Sequence, residues 1–342
     1  METDERYDLD PVLASEWLPA AYAHEIIDQP VQVSILEERV VLFRTDNGIK
    51  AFKDLCIHRG AELSLGKVVN NCLVCPYHGW EYNEEGKCVK IPQQPARRVI
   101  PPKAKAVVYP CMERYGLIWV KLSQDEIASK LPLPDYEEFD DPSFKTVYAD
   151  PHIINAAAPR VVENFLDVSH LAFVHEGSLG DSEHAEIPDY KVHWKDNRYV
   201  SDVIPVYADP DGTGKWSILN YTFEILRPML ARLKKVNEET NEIFSMLFAV
   251  QPQAKRKSKI FALVSRNYDL ETPDQYYIDF QQLIIDQDTA VVESQRPEEL
   301  PLDLQAELHL PPDRVSIAYR RWLSELGVTY GSEVKKQKHM KR

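Results

Sequence analysis

Apolar and polar positions alternate through residues 31–36 (VQVSIL), which predicts a strand with one buried face. Residues 40–54 (VVLFRTDNGIKAFKD) hold two more strand-like runs about Asp46-Asn47-Gly48, a sequence suited to the positive φ angles of a tight hairpin. A second hairpin is predicted over 78–89 (HGWEYNEEGKCV), turning near Asn83 and Gly86. Residues 115–122 (YGLIWVKL) read as a further apolar, aromatic strand. Between 123 and 143 the chain becomes polar and rich in proline (Pro132, Pro134, Pro142), and a domain boundary is expected there.

The period then changes. Residues 160–175 (RVVENFLDVSHLAFVH) place apolar side chains at helical spacing, and 215–250 and 257–268 contain strand-like runs such as SMLFAV and IFALVS. Residues 275–295 (QYYIDFQQLIIDQDTAVVESQ) carry the longest helical pattern, and a last helix is expected over 312–326, stopped by Gly327. No internal repeat is present. The basic tail, Lys335 to Arg342, reads as a solvated end. From pattern alone the chain is α+β with two domains.

The length of 342 residues agrees with two domains. A net charge of −14 argues against a nucleic-acid or anionic-membrane binder. No apolar run approaches the ~18 residues of a membrane span, and the acidic METDERYDLD start has no signal-peptide pattern. Five cysteines are too few, and odd in number, for a disulfide scaffold. A cytoplasmic, reducing setting is the expectation, and clustered Cys and His are there read first as metal ligands.

Such a cluster exists. Cys56-Ile57-His58 is followed by Cys75-Pro76-Tyr77-His78, giving C-x-H-x16-C-x2-H. Two thiolates can hold one iron of a [2Fe–2S] cluster while two neutral imidazoles hold the other, which raises the reduction potential. Gly60 and Gly79 would let backbone amides approach the cluster sulfurs. A structural zinc site is the competing reading, but zinc fingers order a Cys pair before a His pair. Cys72, Cys88 and Cys111 lack a His partner and read as packing residues, with Cys72 the nearest to the motif. CIHRG and CPYHGW, including Arg59 and Gly79-Trp80, resemble the two halves of a Rieske domain as found in Rieske non-haem iron oxygenases.

A second constellation, Asn164-x2-Asp167-x2-His170-x4-His175, lies in the helical stretch. Asp167 and His170 are i, i+3 and would share a helix face. The i, i+5 histidines lie about 140° apart on a regular helix, so the helix must break or take a π-type turn between them to face one metal. Two His and one carboxylate form a facial triad for non-haem Fe(II). Asp286, Asp288 and Glu293 are candidate carboxylates. Asp288 shares a stripe with Ile284, Val291 and Val292, so it points inward and needs a cation, and it is chosen. His24, His152, His184, His193, His309 and His339 have no such company.

ENFLDVSHLAFVH and QDTAVVESQRP resemble the iron-binding segments of the same oxygenases, so the likeness extends over about residues 15–330. It is greatest to the vanillate, dicamba and phthalate-type enzymes, and DVSHLAFVHEGSLGD and DRVSIAYRRWLSELGVTYG also resemble the Rieske hydroxylases of saxitoxin biosynthesis. The resemblance implies a Rieske β-domain (12–125), then a helix-grip catalytic domain (140–330) in which a curved sheet wraps a long helix, then the tail from 331. It implies a head-to-tail homotrimer in which Asp167 bridges His78 of a neighbour to His170, with Asn164 near the iron. With 12 Gly and no G-x-G-x-x-G there is no flavin or nicotinamide site, so electrons come from a separate reductase or ferredoxin. Monooxygenation of a small organic substrate, by hydroxylation or demethylation, is expected ahead of dioxygenation. Tyr221, Phe223, Tyr276 and Phe280 are candidate pocket residues, and acidic residues of the 190–265 strands are candidates for holding a cationic substrate. An electron carrier with an accessory ligand-binding domain is the alternative, and it needs no triad.

Overall fold

A computed structural model describes residues 9–123 and 132–333. They form two compact units that divide between Leu131 and Pro132. The basic segment 335–342 lies outside the described residues.

The first unit is built from three small antiparallel sheets. Leu18–Tyr22, Leu117–Val120 and Cys111–Arg114 form one, and Val31–Ile35, Glu38–Thr45, Gly48–Lys53 and Val108–Tyr109 form another. The third contains Lys67–Val69, Cys72–Val74, Glu81–Tyr82 and Cys88–Lys90. The hairpin expected about Asp46-Asn47-Gly48 is present, with Gly48 at φ 96°. The strand expected over 115–122 begins only at Leu117, because Tyr115 and Gly116 take φ of 57° and 68° and make the turn that precedes it. Likewise 78–80 form a loop, and the 78–89 hairpin starts at Glu81. Asn70-Asn71 is a further tight turn, with φ of 50° and 60°, a conformation Asn tolerates better than other side chains.

In the second unit, nine antiparallel strands make one sheet: β1 (Lys145–Tyr148), β2 (His152–Ile154), β3 (Val192–Lys195), β4 (Arg198–Ser201), β5 (Ile204–Ala208), β6 (Ser217–Arg227), β7 (Leu230–Asn237), β8 (Glu242–Ala254) and β9 (Lys257–Arg266). The order is β1-β9-β8-β7-β6-β4-β3, with β2 also on β9 and β5 on β6. Helix α1 (Ala158–Leu166) and the single turn α2 (Leu171–Val174) precede the sheet's long strands. The long helix α3 (Asp274–Ser294) follows them, and α4 (Arg314–Leu326) ends on the left-handed Gly327. Helix α3 starts after Pro273, carries Asp274 in its first turn where the helix dipole favours an anion, and stops before Arg296-Pro297. Its buried residues Tyr277, Phe280, Gln281, Ile284 and Ile285 recur at three- and four-residue intervals, and Val292 lies two turns further on. Each large apolar side chain sealed in this way stabilises by about 1.5–3 kcal/mol. Val291, expected on the same stripe, is exposed. Among the described residues no helix is long and apolar enough to cross a membrane.

The helical stretch expected over 160–175, with a break or π-type turn between His170 and His175, is interrupted earlier than that. Helix α1 ends at Leu166, and Asp167 is already extended (φ −83°, ψ 123°), so Asp167 and His170 do not share a helix face. The tail expected from 331 is also not free at its start, since Ser332–Glu333 pair in parallel with Leu300–Pro301.

Helix α1 is fixed by a buried ion cluster. The Arg320 guanidinium of α4 donates Nη2 to Glu163 Oε2 at 2.8 Å and Nε to Oε1, while Arg160 reaches Glu307 at 2.8 Å. Removing one partner of a buried pair leaves an uncompensated charge, so Arg320→Met is expected to destabilise the second unit by about 3–5 kcal/mol. Chemical denaturation measures this, and a loss below about 1 kcal/mol would refute the assignment of α1's anchorage to this cluster.

Candidate functional site

The Cys56–His58 and Cys75–His78 segments occupy two loops with the same construction. In each, the amide of the glycine four residues after the cysteine donates to the cysteine carbonyl: Gly60 to Cys56 at 2.9 Å and Gly79 to Cys75 at 3.0 Å. Both glycines adopt positive φ, 72° and 69°. Their own amides are thus spent on the loop, and it is other amides of the turn that approach a sulfur. The amides facing the Cys75 sulfur belong to Tyr77 and His78. Asp54 anchors the first loop by accepting from the Ser64 amide and hydroxyl at 2.7 and 2.6 Å.

The two cysteines are buried and the two histidines half-buried. Cys56 and Cys75 are 1% and 2% exposed. The His58 and His78 rings stand 4.6 Å apart, and Trp80 stacks on His58 at 4.5 Å. The Nδ1 atoms of both rings are buried with no hydrogen-bond partner. Two orphaned nitrogens beside two buried thiols fit a group that takes both as ligands. Among the described residues, three ligand atoms come close enough to share one ion only at His170, His175 and Asp288, so the Cys/His set does not close around a single zinc. Partial desolvation, with His78 and Arg59 nearby, lowers the His58 pKa and favours the neutral ring a metal requires.

Tyr82, which sequence reasoning did not single out, places its hydroxyl 3.1 Å from Cys56 Sγ. Burial and the adjacent Cys56 raise its pKa, so the phenol stays protonated and donates. A donor to a cluster sulfur stabilises the reduced, more negative state. Tyr82→Phe is expected to lower the reduction potential by some tens of millivolts, about the scale of a charge-assisted hydrogen bond where ~59 mV is tenfold for one electron. Protein-film voltammetry reads this directly, and an unchanged or higher potential would contradict it. Cys88 is buried, while Cys72 and Cys111 are partly exposed. All five cysteines are free thiols.

In the second unit the ligand atoms of His170, His175 and Asp288 lie within 4.8 Å of one another. Asp288 Oδ1 is 3.6 Å from His170 Nε2 and 3.3 Å from His175 Nε2, and this buried oxygen has no hydrogen-bond partner. Each histidine spends its other nitrogen outward. His175 Nδ1 is 2.8 Å from Gln287 Oε1, and His170 Nδ1 is 3.2 Å from Asp167 Oδ2. Donation of Nδ1–H to these oxygens leaves both Nε2 lone pairs facing the carboxylate, the arrangement of imidazoles prepared for a metal. His170 caps the start of α2 and His175 its end, so one short helical turn brings i and i+5 together. Asp167 builds that turn, accepting from the Ser169 amide at 2.9 Å and the His170 amide at 3.3 Å. Burial opposes charge on Asp167, but the bond from His170 prevails and holds its carboxyl below the ordinary value. Burial likewise opposes charge on His170, but Asp167 and Asp288 raise its pKa overall.

The other candidate carboxylates point elsewhere. Asp286 accepts from Gln282 at 2.7 Å, and Glu293 from Asn155 at 2.7 Å. His152 contacts Thr289, His184 contacts Asp181 and His193 contacts Asp202.

Asn164, Asp167, His170, His175 and Asp288 share a cavity of about 80 Å³, counted as space open to the centre of a water molecule. One water needs ~10–15 Å³ on this measure, so a small organic molecule has room. The wall is mainly apolar: Tyr221 and Phe223 from β6, Phe244, Met246 and Phe248 from β8, and Phe280 and Ile284 from α3 among others. Tyr276 is not part of it. The acidic wall expected for a cationic substrate is also absent. Asp167 and Asp288 are the carboxylates facing the cavity, whereas Glu224 is paired with Arg232 at 2.7 Å. The one Lys or Arg on the wall is Lys235. Asn164 and Asp167 also border a second, polar pocket with Glu307, His309 and Arg320.

Comparison with known proteins agrees with both halves. Residues 16–110 match the Rieske [2Fe-2S] domain family, and residues 154–329 match the vanillate O-demethylase oxygenase C-terminal domain. Methylxanthine N1-demethylase NdmA of Pseudomonas putida is 35% identical over 308 residues, 89% of this chain and 84% of its own. Methylxanthine N3-demethylase NdmB of the same organism is 32% identical over 305 residues, 88% and 84% of the two chains. The structure of NdmA from Pseudomonas putida CBB5 with caffeine matches with a TM-score of 0.81 at 31% identity, covering 92% of this chain and 91% of the other. Dicamba monooxygenase bound to dicamba, at 22% identity and a TM-score of 0.79 over 92% and 97%, shares the fold.

Proposed function

Because the chain belongs to the Rieske non-haem iron oxygenases, we propose that it oxidatively demethylates or hydroxylates a small, flat organic molecule held in the cavity of its second unit. It is an oxygenase component and depends on a separate reductase for electrons. In this reading Cys56, His58, Cys75 and His78 hold the [2Fe–2S] cluster, and His170, His175 and Asp288 hold a mononuclear iron. The observation that carries it is the meeting of two Nε2 lone pairs and an unpartnered carboxylate oxygen at one end of an apolar cavity. When loaded, the cluster supplies single electrons and the mononuclear iron activates O2 for insertion into a C–H bond.

The chain's own residues then have definite tasks. Gln287 and Asp167 hold the Nδ1 protons of His175 and His170 and so keep both rings oriented. The aromatic walls exclude water and present one carbon of the substrate. Oxidation of an O- or N-methyl carbon gives a hemiacetal or hemiaminal that collapses to formaldehyde. The side chain of Asp167 is 30% exposed and borders the polar pocket. It is therefore placed to accept the outer N–H of the partner subunit's His78 in a head-to-tail homotrimer, a heterologous interface that closes into a ring. The Rieske domain is taken as 12–125 and the catalytic domain as 140–330. A cytoplasmic setting is part of this reading, supported by a cysteine content too low and odd in number for a disulfide scaffold.

The test is turnover with a surrogate NAD(P)H-dependent reductase, using methylxanthines and methoxyarenes as candidate substrates. Substrate-dependent O2 uptake matched by formaldehyde supports demethylation, and O2 uptake with an alcohol product supports hydroxylation. Cluster reduction with no oxygenated product from any compound would favour the electron-carrier alternative.

A further inference from the structure

The sheet's register sets an unusual row into the cavity wall. Tyr221 of β6 pairs with Lys235 of β7, Lys235 with Phe244 of β8, and Phe244 with Arg266 of β9. The next inward rows, Phe223–Leu233–Met246 and then Ala231–Phe248–Ala262, carry no charge. Arg266 ends that row outside the cavity wall, so Lys235, 4% exposed, is the one Lys or Arg among the residues lining the cavity. Its ammonium donates to Pro210 O at 2.7 Å and otherwise meets the faces of Phe244 and Tyr221, 4.6 and 5.3 Å from their centroids. Among the described residues no carboxylate lies within ion-pairing distance of it.

The neighbouring acids are committed elsewhere. Asp209 accepts from the amides of Asp211, Gly212 and Gly214, and Asp211 accepts from Thr213 and from the Tyr268 hydroxyl at 2.7 Å. This loop packs against Phe280, and any side chain at Gly212 would strike that ring. The Tyr221 hydroxyl, 0% exposed, has no partner at all. A buried ammonium with one hydrogen bond and a buried phenol with none are both costly unless a further group completes them.

We propose that Lys235, assisted by the Tyr221 hydroxyl, anchors the substrate by binding an acceptor oxygen, a carboxylate or a ring carbonyl, at the end of a flat molecule remote from the carbon that is oxidised. This rests on reading His170, His175 and Asp288 as the oxidation site. The separation suits such a substrate. From Lys235 to Ala231, level with Phe248, is four residues of strand or about 13 Å. From Phe280 to Asp288 is eight residues of helix or about 12 Å. Phe165, two residues before Asp167, stacks on Phe248 at 4.2 Å and ties that far end to the triad.

Burial pushes the Lys235 pKa down to about 8, against the pull of Asp211 and Asp209. Lys215, Glu242 and Tyr268 border the small pocket behind it, and Arg266 stands two places along its row. Binding of an acceptor should therefore weaken above about pH 8.

The experiment is anaerobic titration calorimetry on the holoprotein with three sets of compounds. The carboxylate set is 4-methoxybenzoate and 6-methoxy-2-naphthoate, the ring-carbonyl set is 1,3-dimethyluracil and caffeine, and the acceptor-free set is 4-methylanisole and 2-methoxynaphthalene. The wild type is expected to bind one acceptor set about tenfold or more tightly than the acceptor-free set, with the preference fading above pH 8. Which set wins identifies the oxygen. Lys235→Met is expected to lose the preference and its pH dependence while keeping acceptor-free binding, both metals and a Tm no lower than the wild type's. A wild type that binds neither acceptor set, a Lys235→Met variant that keeps the preference, or one whose Tm falls by several degrees would overturn the proposal. The last result would mark Lys235 as a strut for the 209–214 loop. His175→Ala separates the premise: it should lose iron and turnover but still bind the preferred set. Retained iron in that variant would sink the site reading instead.

Discussion

Replacing His175 with alanine is expected to take turnover to background while leaving the red-brown chromophore of the first unit unchanged. His175 is 1% exposed, its Nε2 lies 3.3 Å from Asp288 Oδ1, and its Nδ1 is committed to Gln287. Alanine would leave two ligands in a site where iron needs a facial set of three. Iron per protomer should fall from about three to about two, with two acid-labile sulfides retained. Metal analysis of anaerobically prepared protein, together with visible spectra, reads both centres at once. Full iron content or undiminished product formation in the variant would remove His175 from the site. Because the side chain is buried, a thermal melt must accompany the assay, and Gln287→Leu serves as a milder companion. It keeps all three ligands but frees the His175 ring, so metal affinity or activity should drop by about 10–100-fold.

The second large effect is expected at Asp167. Asp167→Asn preserves size and the turn-forming acceptor but removes the charge that accepts Nδ1–H from His170. Both metals should remain bound. Steady-state turnover should fall by about 100-fold or more, a second-ligand effect compounded by loss of the proposed contact to the partner subunit's His78. The discriminating measurement is a single turnover from the pre-reduced protein, in which reoxidation of the [2Fe–2S] chromophore is followed after O2 and substrate are mixed in. Slow reoxidation with normal iron content supports the bridge. Reoxidation at the wild-type rate would confine Asp167 to shaping the turn at 167–170.

How far this was readable beforehand depended on the kind of signal. The Cys and His spacings survive any uncertainty in secondary structure, because each pair sits in a short loop whose geometry is set by the glycine that follows. The 275–295 helix was legible because apolar residues recur through it at helical spacing, and Asp288 was chosen as the polar residue on that stripe, although Val291, expected beside it there, is exposed. The break in the 160–175 helix was misplaced for a physical reason. Apolar periodicity continues smoothly through Val168 and Leu171, both buried, while the interruption comes from the Asp167 carboxylate capturing the Ser169 and His170 amides. Such local competition for backbone donors is invisible to a hydrophobic pattern. Tyr82, Gln287 and Lys235 escaped notice because their roles arise from long-range register. Nothing in the sequence near Lys235 says that Tyr221 and Phe244 will flank it on neighbouring strands.

The order in which the second unit's parts occur along the chain has a consequence for its biosynthesis. The strands that floor the cavity are complete by Arg266, but the helix that roofs it begins only at Asp274. A nascent chain emerging from the ribosome can cover Phe248 with Phe165 of α1, but Phe223, Leu233, Phe244 and Met246 lack the cover of Phe280 and Ile284 until α3 has been translated. Non-local strand pairing is slow, and transiently exposed apolar surface invites aggregation. Recombinant yield should thus respond to slowed translation and to chaperone supply more than the stability of the finished protein would suggest.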